Sequence, residues 1–210
     1  LQQAIQVMLD PADCGPACIS LSQDVQGEVY DYPEEFFYER IHAIRRPRPD
    51  DFQIKEAADL IKKSKKPIII AGGGVFYSDA TEELSAFAKK HNIPVTQTVM
   101  GYSSIKKDHT HYLGTIGGLG GKAANNLSKE TDTAIAIGTK LADFTTGSWA
   151  NFENPNFKLV SINAARFDAN KHMGQAIVGD AKVSLIELSQ VLGNWKADDS
   201  WYKKSRVELK

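Results

Sequence analysis

The chain has 210 residues, 42% of them hydrophobic and 24% charged, with a formal net charge of −1. This length can build one substantial α/β domain, with room for a fragment of a second. The near-neutral charge gives no electrostatic signature of a nucleic-acid partner or of an anionic membrane, and no apolar run is long enough to span a bilayer.

The first 26 residues are predicted to be the end of a domain whose remainder is missing. A helix is expected at residues 2–9, then a Pro/Gly break, then a β-like run at residues 17–22. Leu1 is not an initiator Met and no signal peptide is visible, so we expect a piece of a longer cytoplasmic protein. Cys14 and Cys18 are too close for a useful disulfide loop and too few for a metal site, which indicates two reduced cysteines.

Residues 27–50 are predicted to be an interdomain linker. Periodicity fades there, and prolines alternate with arginines from Arg45 to Pro49. Proline keeps such a backbone extended and solvated. A phosphate site at this basic cluster is the weaker interpretation.

Residues 51–194 show strands that alternate with helices. Asp50 or Asp51 is expected to cap the first helix and Asp180 the last. The alternation indicates βαβ crossovers and hence a doubly wound, mainly parallel α/β sheet of about six strands, a Rossmann-like fold. The predicted strands are 67–71, 94–99, 133–137, 158–163 and 176–178, and the helices between them carry Ile54, Ala57, Ala58, Ile61, Leu84, Phe87, Ala88, Leu127, Val183, Leu185, Ile186 and Leu188 on their inner faces.

The first glycine cluster, Gly72–Gly74, follows a strand and precedes a helix that is expected to start at Ser78 or Asp79. A dinucleotide pyrophosphate would lie there. However, the third glycine of G-x-G-x-x-G falls on Tyr77, and Gln97 and Thr98 stand where a ribose-binding acid is needed. A plain tight turn is favoured over nucleotide binding.

Other polar clusters offer further candidate sites. Gly118–Ala123 fits G-x-G-x-x-A, but no strand is predicted directly before it, and His109 with His111 lacks a third metal ligand. The segment Asp143–Trp149, after a strand end, either lines a pocket or satisfies its own backbone. The candidates for a nucleotide pocket, or for its vestige, are Gly73, Gly74, Gly138 and Thr139, and no catalytic or metal-binding residue is identified.

Several segments, taken in order, resemble the middle domain of thiamine-diphosphate-dependent enzymes. They are Asp24–Gln26, Arg48–Val75, Asn92–Val95, Gly138–Lys140 and Val178–Lys182, and the match covers nearly the whole chain. Asp10–Pro16, Ala71–Val75 and Asp143–Trp149 are similar to the branch that hydrolyses a C–C bond of a cyclic diketone in myo-inositol catabolism. The resemblance implies a homo-oligomeric enzyme that holds thiamine diphosphate through Mg²⁺ at a subunit interface.

The sequence departs from that family where the cofactor is anchored. The family's Gly-Asp-Gly motif is followed at a distance by Asn, whereas here Ala181 follows Gly179-Asp180 and the chain ends soon after. We therefore expect a scaffold and assembly role, no cofactor in this fragment, and no activity alone. Residues 195–210 are predicted to begin the linker to a missing diphosphate-binding domain. The alternatives are an acetolactate-synthase-like enzyme, which sometimes binds FAD here, and a stand-alone NAD- or FAD-binding module.

Overall fold

The computed structural model describes residues 1–209, which divide into two compact units, Leu1–Arg45 and the residues from Arg46 onwards. The second unit contains a six-stranded sheet with the order β3-β2-β1-β4-β5-β6, in which every neighbouring pair is parallel. The prediction of a doubly wound, mainly parallel sheet is confirmed. The strands are β1 Pro67–Ala71, β2 Val95–Gln97, β3 Tyr112–Thr115, β4 Thr133–Ile137, β5 Lys158–Asn163 and β6 Gln175–Val178.

Helices cover both faces of this sheet. In β1 and β4 every residue is buried, as a parallel strand between two helical layers requires. Successive side chains of a strand point to opposite faces, so each strand contributes side chains to two cores. The helices are α2 Asp51–Lys62, α3 Gly73–Tyr77, α4 Thr81–His91, α5 Lys122–Glu130, α6 Asp143–Thr146, α7 Arg166–Asn170, α8 Ala181–Leu192 and α9 Asp199–Glu208.

In β1 and β4, the odd-numbered residues belong to one core and the even-numbered residues to the other. The first core joins α2, α4 and α8 to one face through Ile69, Ala71, Ile135, Ile137 and Ile162. The second joins α5 and α9 to the other face, and its members include Ile68, Ile70, Ala134, Ala136, Leu127 and Trp201.

Helix caps and inner faces largely follow the predictions. Asp50 accepts hydrogen bonds from the backbone N–H groups of Phe52 and Gln53, and Asp180 caps α8 in the same way. All the apolar residues predicted on the inner faces of α2, α4 and α5 are buried. On α8, Ile186 is an error, since 43% of it is exposed. The helix α4 starts at Thr81 rather than at Ser78 or Asp79, because the short helix α3 occupies the preceding residues.

The predicted strands differ from the structure in three places. The strand predicted at residues 94–99 is shorter in the structure, Val95–Gln97. The run predicted at residues 17–22 forms no strand within the described part of the chain, because it pairs with none of the six strands. The strand β3 was not predicted at all. Its four residues include Gly114, whose φ of +102° and bulged pairing with β2 break the apolar pattern.

The Arg-Pro segment was predicted to be extended and solvated. In the structure it is instead bound to the start of α8. The Arg46 guanidinium donates to the Asp180 carboxylate at 3.0 Å, and the Asp180 backbone N–H donates to the Pro47 carbonyl at 2.8 Å. Pro49 is buried and lies against Gly179. Arg48 forms an ion pair with Glu187. Residues 46–49 are thus strapped to the start of α8.

The C-terminal segment also packs on the sheet unit. Residues 195–210 were predicted to begin a linker, but Asp199–Glu208 is the helix α9, and only 3% of Trp201 is exposed. The Trp201 indole N–H donates to the Pro67 carbonyl at 2.8 Å. This contact holds α9 against the start of β1.

The unit Leu1–Arg45 is of a different kind. It contains the helix α1, Gln2–Leu9, as predicted, and two short 3₁₀ turns, Val25–Gly27 and Glu34–Phe37. Within residues 1–45, all of which are described, no side chain is buried. Cys14 and Cys18 are free and exposed. None of the helices in residues 1–209 combines the length and apolar character needed to cross a bilayer.

Candidate functional site

The carboxyl edge of the sheet is where a doubly wound fold binds ligands, at the point where the strand order reverses. Here that point lies between β1 and β4, and the turns Gly72–Gly74 and Gly138–Lys140 follow these two strands. The structure therefore brings together all four residues that the sequence proposed for a nucleotide pocket: Gly73, Gly74, Gly138 and Thr139.

These two turns are in direct backbone contact. The Gly74 N–H donates to the Gly138 carbonyl at 2.9 Å. A Cβ on Gly72 would lie 2.3 Å from the Gly138 carbonyl oxygen, and one on Gly74 would lie 2.6 Å from the Gly138 Cα. Gly138 itself has φ +59°, a conformation that favours glycine. Glycine is required here because two backbones touch.

Several backbone donors at this edge are already used within the protein. The Gly72 N–H donates to the Ile137 carbonyl and the Gly138 N–H to the Ile162 carbonyl, both at 2.8 Å. The Thr139 hydroxyl accepts from the Leu141 N–H at 3.2 Å. An anion bound by a turn and a helix N-terminus needs free N–H groups. Only the N–H groups of Gly72, Gly74 and Gly138 are shown to be paired, so the pairing removes three of the donors that a pyrophosphate would need.

The second glycine cluster has the strand that the sequence analysis did not find. β3 ends at Thr115, directly before Gly117–Gly121, so the prediction that no strand precedes this cluster was wrong. Its N–H groups are nevertheless occupied. Gly117 donates to the Asn125 side chain, Gly118 to the Phe144 carbonyl and Gly121 to the Thr115 carbonyl, at 2.8–2.9 Å.

Asn125 locks this second loop from α5. Its side-chain oxygen accepts from the Gly117 N–H, and its NH₂ group donates back to the Gly117 carbonyl at 3.1 Å. The side chain thus imitates a backbone ladder and closes the loop without a ligand. Because this pairing depends on two segments meeting in space, no local sequence signal reveals it.

The segment Asp143–Trp149 holds its own backbone in place. The Thr146 hydroxyl accepts from the Trp149 N–H at 3.2 Å, and the Asp143 carbonyl accepts from the Ser148 N–H at 3.0 Å. Gly147, Ser148 and Trp149 all have positive φ, which is costly for the two residues that carry a Cβ. Of the two roles left open for this segment, the contacts favour the loop that satisfies itself. The Asp143 side chain remains exposed.

The predicted histidine pair is a structural contact. His111 is 6% exposed, and its ring bonds to the Asn92 side chain at 3.2 Å and packs on Tyr202 of α9. Burial, followed by the positive charges nearby, lowers the pKa of His111 to about 4. Burial also lowers the pKa of His109. No group of three or more His, Cys, Asp or Glu side chains within residues 1–209 could hold a metal.

Comparison with known proteins places this chain in a family. The sequence profile of the thiamine pyrophosphate enzyme central domain matches residues 54–188, which run from the first buried position of α2 to the last turns of α8. The chain belongs to this family. The six-stranded parallel sheet described above corresponds to the central domain of this family.

Several similar proteins carry the name of one enzyme. The chain is 48% identical over 189 residues to a 3D-(3,5/4)-trihydroxycyclohexane-1,2-dione hydrolase of Clostridium perfringens. Proteins of the same name from Clostridium tetani and Bacillus licheniformis are 45% and 43% identical. These alignments cover 90–94% of this chain but only 29–31% of the relatives. The central-domain chain therefore spans less than a third of their length.

The residues of this central domain do not fit the cofactor that the family name implies. Asp180 is the one residue in a Gly-Asp context that could imitate the metal anchor. Its carboxylate already accepts from the backbone N–H groups of Lys182 and Val183 and from Arg46. A carboxylate saturated by a helix cap and an arginine is a poor Mg²⁺ ligand, so Asp180 does not supply the metal anchor that the cofactor needs.

Proposed function

We propose that this chain is the central domain of a thiamine-diphosphate-dependent hydrolase that opens 3D-(3,5/4)-trihydroxycyclohexane-1,2-dione. The observation that carries the proposal is identity of 43–48% across about nine-tenths of the chain to proteins of that name. In the longer enzyme, thiamine diphosphate and Mg²⁺ bind to other domains. The enzyme is a cytoplasmic homo-oligomer, and this domain serves as scaffold.

The geometry supports a scaffold rather than a catalytic role. Gly74, Gly117 and Gly118 at the carboxyl edge donate their N–H groups to the turns and side chains beside them. Asp180 serves as helix cap and as anchor for Arg46. A central domain built in this way positions its neighbours and holds no reacting group.

The test of the substrate uses the longer enzyme, supplied with thiamine diphosphate and Mg²⁺. We expect it to open the cyclic dione and to form no acetolactate from pyruvate. Acetolactate formation without ring opening would instead support the acetolactate-synthase-like alternative. The 210-residue chain, assayed beside it, should catalyse neither reaction.

The test of the scaffold role uses the 210-residue chain. Isothermal titration with thiamine diphosphate and Mg²⁺ should give no binding heat. Its thermal midpoint should also stay constant with NAD, FAD or ADP, because a tight ligand raises the midpoint by mass action. A rise of several degrees with one nucleotide would support the dinucleotide-binding alternative and contradict the scaffold role.

A further inference from the structure

The segment at residues 193–209 lies on the sheet unit with few buried side chains. We call it the C-terminal arm; it contains the connection that follows α8 and the helix α9. Its buried residues are Ala197, Trp201 and Ser205. Most of the stability of a helix in a protein comes from packing of its apolar face. With so little apolar burial, the arm depends strongly on its polar contacts.

His91, the last residue of α4, holds the start of this arm. Its Nδ1 lies 2.8 Å from the Trp195 carbonyl oxygen, and its backbone carbonyl accepts from the Ala197 N–H at 2.9 Å. A carbonyl oxygen can only accept, so Nδ1 carries the proton. Nε2 of the neutral ring then accepts from the Ser189 hydroxyl at 3.0 Å, while the Ser189 oxygen accepts from the Lys90 ammonium at 3.1 Å. The ring that fits these partners is neutral.

His111, directly before β3, holds the start of α9 through Asn92. The Asn92 NH₂ group donates to the Asp199 carboxylate at 3.0 Å and to the Ala197 carbonyl at 3.3 Å. Both partners accept, so the Asn92 side-chain oxygen faces His111 Nε2 at 3.2 Å and Nε2 is the donor. The other ring nitrogen accepts from the Thr110 hydroxyl at 3.0 Å. This ring too fits its partners in the neutral form.

Tyr202 of α9 covers the His111 ring. The two ring centroids are 4.5 Å apart, and the Tyr202 hydroxyl donates to the Thr110 carbonyl at 3.1 Å. His91 is fully buried, and His111 is 6% exposed. Two buried imidazoles, one from α4 and one from the start of β3, thus bind the arm from Trp195 to Tyr202.

The charges that act on both rings are positive. They are Lys90 and Lys196 at His91, and His109, Arg206 and Lys89 at His111. Two carboxylates of this region act on other residues, since Asp199 bonds to Asn92 and Asp108 acts on His109. Burial lowers the pKa of both histidines, although the bond to the Trp195 carbonyl offsets part of this at His91, and the positive charges lower it further.

We propose that His91 and His111 form an acid-sensitive clasp, which holds the C-terminal arm while both rings are neutral and favours its release, with the sheet still folded, when they take up protons. A proton on His91 Nε2 sets a second cationic donor on the Ser189 oxygen, beside Lys90. Release exposes the charged rings to water, which solvates them. The two cores persist, because the arm supplies only Ala197 and Trp201 of their buried members.

Hydrogen exchange in the 210-residue chain at pH 7 and pH 5 tests the clasp. The pKa of His111 is about 4 in the held arm, against 6.5 for a free ring, so the neutral ring stabilises the held arm above pH 6.5 and less as the pH falls. Protonation of His111 alone therefore lowers the ratio of held to released arm about 20-fold between pH 7 and pH 5. Glu130, which binds Lys204 of α9, keeps its charge at pH 5, because the hydrogen bond from Lys204 lowers the pKa of Glu130.

We expect the protection factors of the amides of residues 201–206, corrected for the pH dependence of intrinsic exchange, to fall by at least this factor. They should also lie well below those of β1 and β4 at both pH values, because release leaves the sheet folded. Equal protection of arm and strand amides would show that the whole unit unfolds together and would overturn the proposal. Constant protection of the arm between pH 7 and pH 5 would overturn it as well.

Variants identify the groups that sense the acid. His91→Asn and His111→Gln each place an amide donor near the bonded ring N–H, and neither can take up a proton. In the double variant the fall in arm protection between pH 7 and pH 5 should disappear, whatever the protection at pH 7. His111→Gln alone should remove the 20-fold part that this ring contributes, so the test does not require the double variant to fold.

His172→Gln is the matched control. The His172 ring contacts Trp149 and the Lys140 carbonyl instead of the arm, so this variant should keep the full fall in arm protection. A fall of the wild-type size in His111→Gln and in the double variant would overturn the proposal, since other groups would then sense the acid.

Discussion

Gly72, Gly74 and Gly138 show how a motif typical of nucleotide binding can serve packing instead. In each case the space that a Cβ would occupy is filled by the backbone of the neighbouring turn. Gly138 adds a left-handed φ of +59°. Both the lack of space for a Cβ and the positive φ thus require glycine at position 138.

Gly138→Ala is expected to lower the free energy of unfolding by about 2–4 kcal/mol, because a Cβ there would lie 2.5 Å from the Gly74 Cα and would force a positive φ on alanine. Urea unfolding measures the change. Gly121→Ala is the control, since its Cβ would meet no atom within 4 Å and its φ is −74°. A Gly138→Ala variant as stable as this control would contradict the packing role.

His111 makes stability depend on pH. Its pKa is near 6.5 in the unfolded chain and about 4 in the folded one, so the folded state holds the neutral ring. The stabilisation is complete above pH 6.5 and is lost as the pH falls towards 4, by up to about 3 kcal/mol. His111→Gln should therefore be less stable than the wild type at pH 7, and the difference should shrink by pH 4.5. Urea unfolding at both pH values checks this, and a constant difference would refute it.

At the scale of elements, Asp180 connects α8 to the strap formed by residues 46–49. One carboxylate oxygen caps the helix, and the other accepts from Arg46, while only 3% of the residue is exposed. A buried carboxylate with three donors is costly to remove, because the donors lose their partner together.

Asp180→Ala should cost about 2–4 kcal/mol of unfolding free energy. Asp180→Asn, which keeps a capping oxygen but loses the charge, should cost less. Asp198→Ala removes the exposed cap of α9 and should cost about 1 kcal/mol. The three variants are compared by urea unfolding. Equal costs for the alanine variants at Asp180 and Asp198 would show that the strap contributes nothing.

The elements that the sequence predicts best are those fixed by local pattern. The strands at 67–71, 133–137 and 158–163 have the predicted bounds because they are short apolar runs between breakers. β3 escapes prediction because a glycine interrupts it. The helix α9 escapes because Trp201 and Ser205 are its only buried residues, too few to show a period.

The same limit applies to the candidate site. Parallel strands share a carboxyl edge, so the meeting of Gly73, Gly74, Gly138 and Thr139 follows from the fold class. The hydrogen-bond partners of the glycine turns, in contrast, cannot be predicted from the fold class. The partners of Gly117 and Gly118 are Asn125 and Phe144, residues brought in by other elements. Whether a glycine turn is open or saturated is thus a tertiary property.

At the scale of the whole molecule, the buried side chains all belong to the unit that starts at Arg46, within the part of the chain the structure describes. Residues 1–39 contain eight carboxylates and no Lys or Arg. A segment with like charges and no buried side chain gains little from folding by itself.

Limited chymotrypsin digestion of the 210-residue chain should cut first among the exposed rings of residues 30–38, before any cut in the sheet unit. A chain that starts at Arg46 should keep the same thermal midpoint as the 210-residue chain. Resistance of residues 30–38 to the protease, or a large loss of midpoint on truncation, would show that the first unit is held in place within this chain.

The touching turns of β1 and β4 also limit how this sequence can drift over evolutionary time. A side chain acquired at any one of Gly72, Gly74 or Gly138 collides with backbone at the facing turn, and no change at the facing glycines can make room, since they have no side chain to give up. Homologues should therefore keep all three glycines or replace them jointly, with β1 and β4 moved apart. The three positions should therefore vary together among homologues, even though Gly138 lies 64 residues beyond Gly74 in the chain.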